Sequence, residues 1–214
     1  MKIAGVDEVG IGCLAGPLVS AAVIFGKNKS EYFFKDSKKT SKKNRAIQAK
    51  YIKRNFYVGI GLAATIEIDK LNVLQASHLA MKRAIKNLPL IPERIIVDGI
   101  YIPEGLEHAE AIVKGDEQYQ EIAAASIVAK NFRDELMLNY AKIYEGYFFE
   151  KNKGYPTKDH KNAINYLGVS NIHRKSFKIY LCPILFIYKQ NHITAFLVAY
   201  LRPMKLWIKH LSLA

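Results

Sequence analysis

Two adjacent acids near the amino terminus constrain this chain more than any other feature. In Ala4-Gly-Val-Asp-Glu-Val-Gly-Ile-Gly-Cys-Leu-Ala-Gly-Pro17 an apolar run ends in Asp7 and Glu8, and glycines follow at 10, 12 and 16. Adjacent carboxylates repel and are costly to desolvate unless a cation compensates them. Oxygen ligands of this kind suit hard divalent cations such as Mg²⁺ or Mn²⁺. Glycines let the backbone turn tightly and approach a ligand closely. The plainer alternative is a solvent-facing acid pair at a strand end with a glycine loop after it.

The 214 residues suit one domain with at most a small appendage, enough for a sizeable core. Thirty-two basic residues against nineteen acidic give a formal charge of +13. Such a charge favours a polyanion partner, nucleic acid before an anionic membrane. Two cysteines, Cys13 and Cys182, build no disulfide framework and show no metal spacing, so a reducing compartment, the cytoplasm, is expected. The amino terminus runs almost directly into the acidic motif, leaving no room for a signal peptide.

Residues 2–8 read as a strand, with Leu18–Phe25 as its hairpin partner across the glycine loop. Neighbouring strand side chains point to opposite faces, so Asp7 and Glu8 share a site only if the strand ends or bulges there. A basic segment follows, Asp36-Ser-Lys-Lys-Thr-Ser-Lys-Lys-Asn-Arg45, read either as a solvated turn or as a phosphate-contacting patch led by Ser37 and Lys38. Thr40 or Ser41 is the expected helix cap, with Ala46, Ile47, Tyr51 and Ile52 as an apolar stripe. Tyr57–Ile66 reads as a strand. From Ile68 the spacing of Leu71, Leu74, His78, Met81, Ile85 and Leu88 predicts a helix, with His78 packed in the core. Arg94–Gly99 and Ala111–Asp116 each read as a strand ending in an acid, Asp98 and Asp116. Ile122–Met137 is a helix rich in small residues, which lie close against a sheet. Asp134 is 18 residues from Asp116, roughly 27 Å along one helix, and is expected to pair with a neighbouring Arg or Lys instead. In Lys151–His160, Tyr155 sits among lysines, either a capping tyrosine or an aromatic that stacks on a base or sugar.

Beyond Asp159 the chain has no acid. The apolar runs 179–188 and 193–201 are interrupted by Lys189-Gln-Asn-His192, and neither reaches the roughly 18–20 residues of a membrane span. No membrane span is therefore expected. The role of this tail is left open among a packed addition, an interaction element and an extension.

The blocks Asp7–Pro17, Asp36-Ser-Lys38, Val97-Asp-Gly99, Lys114-Gly-Asp116, Ala123–Lys130 with Arg133-Asp134, Gly154–His160 and His173–Phe177 occur in this order. Together they resemble ribonuclease HII, the type 2 ribonuclease H family, over residues 1–177. The resemblance implies an α/β fold, a ribonuclease H-like mixed sheet flanked by helices with a helical carboxy-terminal portion. Residues 1–177 would form this catalytic domain and 178–214 a basic apolar tail. It further implies an endonuclease that hydrolyses the RNA strand of RNA–DNA hybrids and incises 5′ of single ribonucleotides in duplex DNA. Asp7, Glu8, Asp98 and Asp116 match the four catalytic, metal-holding carboxylates, with two Mg²⁺ or Mn²⁺ ions as cofactors. Products would carry 5′-phosphate and 3′-hydroxyl ends. Tyr155 matches the tyrosine that stacks near the RNA–DNA junction, and Gly10-Ile11-Gly12 matches a Gly-Arg-Gly element whose backbone reads the ribose 2′-hydroxyl. The expected partners are RNA–DNA hybrid and ribonucleotide-containing duplex, bound by a monomer. Two departures stand out: Ile11 replaces a guanidinium, and the tail is longer than the family's usual end. Both motivate an alternative, a hybrid-binding protein with weakened or lost cleavage.

Overall fold

The structure, a computed structural model, describes residues 1–26, 30, 32–34, 37, 40–106 and 108–177. Lys38 and the expected tail, 178–214, therefore lie outside the described residues.

Five strands form one mixed sheet in the order β3-β2-β1-β4-β5. Strand β1 (Ile3–Val9) is central, antiparallel to β2 (Leu18–Ile24) and parallel to β4 (Arg94–Asp98). Strand β3 (Tyr57–Ala63) extends the antiparallel side and β5 (Ala109–Ile112) the parallel side. Every residue of β2 is buried, as expected for a near-continuous apolar run covered on both faces. Its odd positions Val19, Ala21 and Val23 pack against Ala123, Ala124, Ile127 and Val128 of helix α5 (Gln120–Ile143). On the other face, Leu18 and Ala22 meet Ala80, Met81 and Ala84 of helix α3 (Val73–Lys86). The hairpin register, Ala4↔Ile24 through Val9↔Val19, agrees with the partner expected for β1.

Helix α1 (Lys42–Asn55) begins at Ser41, whose hydroxyl accepts the Asn44 N–H. It buries Arg45, Ala49 and Ile52, whereas Ile47, expected on the apolar stripe, is 49% exposed. The expected strand to Ile66 stops at Ala63, where helix α2 (Thr65–Leu71) starts. The helix expected from Ile68 onward is two helices. Asn72, at φ +72°, interrupts them and caps α3 by accepting the Leu74 and Gln75 N–H groups. His78 is buried in the core side of α3, as expected. Asp116 does not end a strand: β5 stops at Ile112 and Asp116 lies in the first turn of α4 (Gly115–Gln118). Tyr119, in extended conformation, separates α4 from α5, so Asp116 and Asp134 do not share one helix. The carboxy-terminal portion adds α6 (Phe149–Asn152) and α7 (Lys158–Leu167). Among the described residues no helix is long and apolar enough to cross a membrane.

Candidate active site

The parallel pairing of β1 with β4 stops at Val6↔Val97, while β1 itself runs on to Val9 against β2. Beyond Val6 that edge of β1 is therefore open. This resolves the difficulty that Asp7 and Glu8 point to opposite faces: the strand neither ends nor bulges at the acids, but its edge is clear beside them. Asp7, Glu8, Asp98 and Asp116 all line one open cleft of about 480 Å³, together with Ser37, Arg45, Ser126, Lys130 and Tyr155.

Two of the acids, Asp7 and Asp98, are held by nearby backbone. Asp7 Oδ1 accepts the Glu8 N–H at 2.7 Å, and the Asp7 carbonyl accepts the buried Ser20 hydroxyl at 2.7 Å. Asp98 Oδ1 accepts the Gly115 N–H at 2.7 Å, tying the end of β4 to the start of α4. Burial pushes the Asp7 carboxyl up to about 7, and the charge of Asp98 adds to this. Hydrogen bonds from Ser126 and the Glu8 N–H pull it back, and Asp116 raises it by the smallest amount. The four acids thus share a cleft, and two of them, Asp98 and Asp116, oppose the ionisation of Asp7. Among the described residues no three His, Cys, Asp or Glu side chains converge into a ready-made ion cage.

The wall opposite carries positive charge already paired. Asp134 accepts from Lys130 Nζ at 2.8 Å and from Arg45 Nη2 at 3.3 Å, the pairing expected for it. Ser37 lines the cleft, but it is buried and its hydroxyl bonds to that of Ser126 at 2.9 Å. Its carbonyl accepts from Arg45 Nη1 at 2.7 Å. Tyr155 stands beneath Lys130 and Arg133, whose charges lie 5.4 and 5.7 Å from its ring centre. Burial pushes its hydroxyl up to about 12, so it stays neutral.

The glycine loop follows the acids directly. Gly10 has φ +98°, and a Cβ there would lie 2.4 Å from Arg133 Nε, so the protein itself requires glycine. Gly12 differs: its backbone is ordinary and a Cβ would meet nothing within 4 Å. Ile11, between them, is 43% exposed, with its side chain turned outward rather than packed into the core.

Sequence reasoning missed Ser126, Arg45 and Lys130 in this cleft, and Arg133, His160, His173 and Arg174 behind it. Ser126 alone carried a signal, as the one hydroxyl in the apolar run 122–129.

A mixed sheet of this order, covered by a long helix, with acids from its two central parallel strands and from the helix start after β5 lining one cleft, defines the ribonuclease H-like hydrolases. A family model for ribonuclease HII matches residues 4–180. Over 179 residues the chain is 49% identical to the ribonuclease HII of Ruegeria pomeroyi, covering 83% of this chain and 76% of that protein. Over 181 residues it is 48% identical to the ribonuclease HII of Borreliella burgdorferi, covering 83% and 99%. Among solved structures it is similar to the ribonuclease H2 of Pyrococcus horikoshii, with a TM-score of 0.71 and 26% identity over 89% of this chain and 100% of that one. The ribonuclease HII of Archaeoglobus fulgidus, solved as a complex with PCNA, gives a TM-score of 0.68 and 26% identity over 84% and 96%. The chain belongs to the ribonuclease HII family and is a ribonuclease H hydrolase.

Proposed function

We propose that this chain hydrolyses the RNA strand of RNA–DNA hybrids and cuts on the 5′ side of single ribonucleotides within duplex DNA. The observation that carries the reading is the cleft where Asp7, Glu8, Asp98 and Asp116 meet, walled by Tyr155 and continued by the Gly10–Gly12 loop. An all-carboxylate donor set suits Mg²⁺ or Mn²⁺. The raised Asp7 carboxyl supports the fit, because clustered charge that burial and Asp98 oppose is what a cation would relieve. The four acids would hold two such ions, which when bound supply water activation and charge stabilisation for in-line displacement at a phosphodiester.

The protein's own part is positioning. Strand β1 carries Asp7 and Glu8, the end of β4 carries Asp98, and the Gly115 N–H ties Asp98 to the first turn of α4, where Asp116 lies. Lys130 and Arg45, tied to Asp134, keep positive charge at the wall where a phosphate backbone would pass. Nothing among the described residues needs position 12 to be glycine, and this supports a role in which a ligand approaches that backbone. The 2′-hydroxyl, which separates RNA from DNA, is a suitable ligand for its amide. Residues 1–177 would form the working domain, with 5′-phosphate and 3′-hydroxyl ends as products.

The test is a duplex carrying one ribonucleotide, incubated with protein and Mg²⁺ or Mn²⁺. One cut 5′ of the ribonucleotide is expected, and it should vanish in Asp98→Asn and in Asp116→Asn. The exposed Ile11 in place of a phosphate-pairing arginine favours a second reading, a hybrid-binding protein with impaired chemistry. Binding without cutting under both ions would overturn the first reading in favour of the second.

A further inference from the structure

Behind the cleft lies a cluster of buried charge and imidazole that the chemistry above does not use. After α7 the chain turns back against the loop at 10–17. The Gly16 N–H donates to the Ile172 carbonyl at 2.8 Å, Ala15 and His173 form an isolated bridge, and the Arg174 N–H donates to the Leu14 carbonyl at 2.8 Å.

From this crossing two consecutive side chains reach in different directions. Arg174 has no exposed surface. Its Nη1 donates to the Ile11 carbonyl at 2.8 Å, while Nε and Nη2 donate to the Gly16 carbonyl at 3.0 and 2.9 Å. The fork of the guanidinium thus fixes the two ends of the glycine loop relative to each other. His173 reaches toward Tyr155 instead. Its Nδ1 accepts the Ser170 N–H at 2.9 Å, with the Ser170 hydroxyl at 2.8 Å from the same nitrogen. A peptide N–H can only donate, so the proton of His173 belongs on Nε2, which lies 3.1 Å from His160 Nε2. His160 then carries its proton on Nδ1 and donates to the Tyr155 carbonyl at 2.8 Å. The partners alone assign both tautomers.

Burying a guanidinium is costly unless its donors are satisfied, and here the Ile11 and Gly16 carbonyls satisfy them. What the arginine adds is geometry, because its planar fork holds both carbonyls at fixed angles, which an ammonium on a flexible stem does not impose. We infer that His173 and Arg174 are positioning residues which set Tyr155 and the Gly10–Gly12 loop at a fixed spacing from each other. The inference rests on the proposed role of those two elements as readers of the ribonucleotide and its junction.

A continuous RNA strand offers a 2′-hydroxyl in every register, so a displaced reader still finds one. A single embedded ribonucleotide offers one register only. The experiment therefore compares kcat/KM on a continuous RNA–DNA hybrid with that on a single-ribonucleotide duplex. Arg174→Lys is expected to lower the ratio of single-ribonucleotide to continuous cleavage by roughly 10- to 100-fold, the scale of misplacement by about 1 Å. Most of the loss should appear on the single-ribonucleotide duplex. In the other half of the cluster, His160→Leu should also lower the ratio. His160→Asn, whose amide can still reach the Tyr155 carbonyl, should restore part of it. If Arg174→Lys fails to fold, the His160 pair carries the same comparison. Folded variants with an unchanged ratio overturn the inference alone. A wild-type protein that cuts neither substrate overturns the underlying reading and this inference with it.

Discussion

At the scale of single residues, Asp7 shows most clearly what the site does to its own groups. Its carboxyl is raised from 3.8 to about 7, first by burial and then by Asp98. Between those values the folded protein keeps a proton that the unfolded chain releases. Stability therefore falls as pH rises through this window, and the cost is fully present above about 7. His173 acts in the opposite sense. Burial, then the neighbouring His160, holds it down at about 4, so its contribution is complete above 6.5 and is lost as pH falls toward 4. In chelator, Asp7→Asn should thus unfold at a higher temperature than the wild type at pH 8, by a few kcal/mol at most. The difference should shrink toward pH 5, where the variant loses stability more steeply because only the histidine effect remains. Thermal unfolding of both proteins at the two pH values checks this, and a pH-independent difference would mean that Asp7 ionises as an ordinary carboxylate. The pairing of acids at 7 and 8 was legible because two charges at the end of an apolar run have few solutions. Arg133, Arg174 and His160 were not, since a buried charge satisfied by distant carbonyls leaves no local pattern.

At the scale of elements, the packing of α5 on β1 depends on one missing side chain. A Cβ at Gly5 would lie 2.3 Å from the backbone of Glu121 and Ile122. Replacing glycine with alanine restricts the unfolded chain, a gain of about 0.4–1 kcal/mol where the backbone is compatible. Here overpacking, at about 1–3 kcal/mol or more, outweighs that gain. Gly5→Ala should accordingly lower the melting temperature, whereas Gly12→Ala, with open space and an ordinary backbone, should leave it unchanged or slightly raised. If position 12 meets the ribose, the second variant should still lose cleavage of a single-ribonucleotide duplex. Melting curves and one cleavage assay test the pair, and equal destabilisation by both would contradict it. Strand and helix types were readable from periodicity, but three boundaries were not. Asn72 carries apolar spacing across a left-handed break, Ala63 ends β3 ahead of a new helix, and Lys114, also left-handed, turns Asp116 out of the strand and into α4. At Asn72 and Lys114 a backbone torsion decided the outcome, and side-chain hydropathy does not report torsions.

At the scale of the whole molecule, the sheet, the cleft, Tyr155 and the Gly10–Gly12 loop lie within the first 177 residues. Phe177 is itself part of the folded unit, packing against two of the core clusters with the Arg174 guanidinium 5.2 Å from its ring centre. A chain ending at 177 should fold and cut a single-ribonucleotide duplex, whereas one ending at 172 should not fold. Five basic residues and no acids lie beyond 177, so the shorter chain carries +8 in place of +13. Its binding to nucleic acid should therefore be weaker at low salt and less steeply salt-dependent. Circular dichroism, cleavage and a salt titration of affinity check these outcomes. A soluble, folded and inactive 1–177 chain would place the tail inside the working domain. The charge and the order of the blocks suggested such a unit, while the contacts of residues 170–177 with the 10–17 loop span nearly the entire sequence.

That closure has a consequence for the order of synthesis. The loop at 10–17 leaves the ribosome among the first segments, yet its carbonyls wait for Arg133 and, later still, for Arg174. A domain generally folds as a unit once its segments have been made. A nascent chain already holds Asp7 and Glu8 long before Asp98 and Asp116 emerge, and gains all four acids before the glycine loop is fastened. The fastening comes last, when the segment after α7 folds back across the loop. The growing polypeptide thus carries all four acids early, while the fold that gathers them into one cleft waits for the last-made segment of the unit.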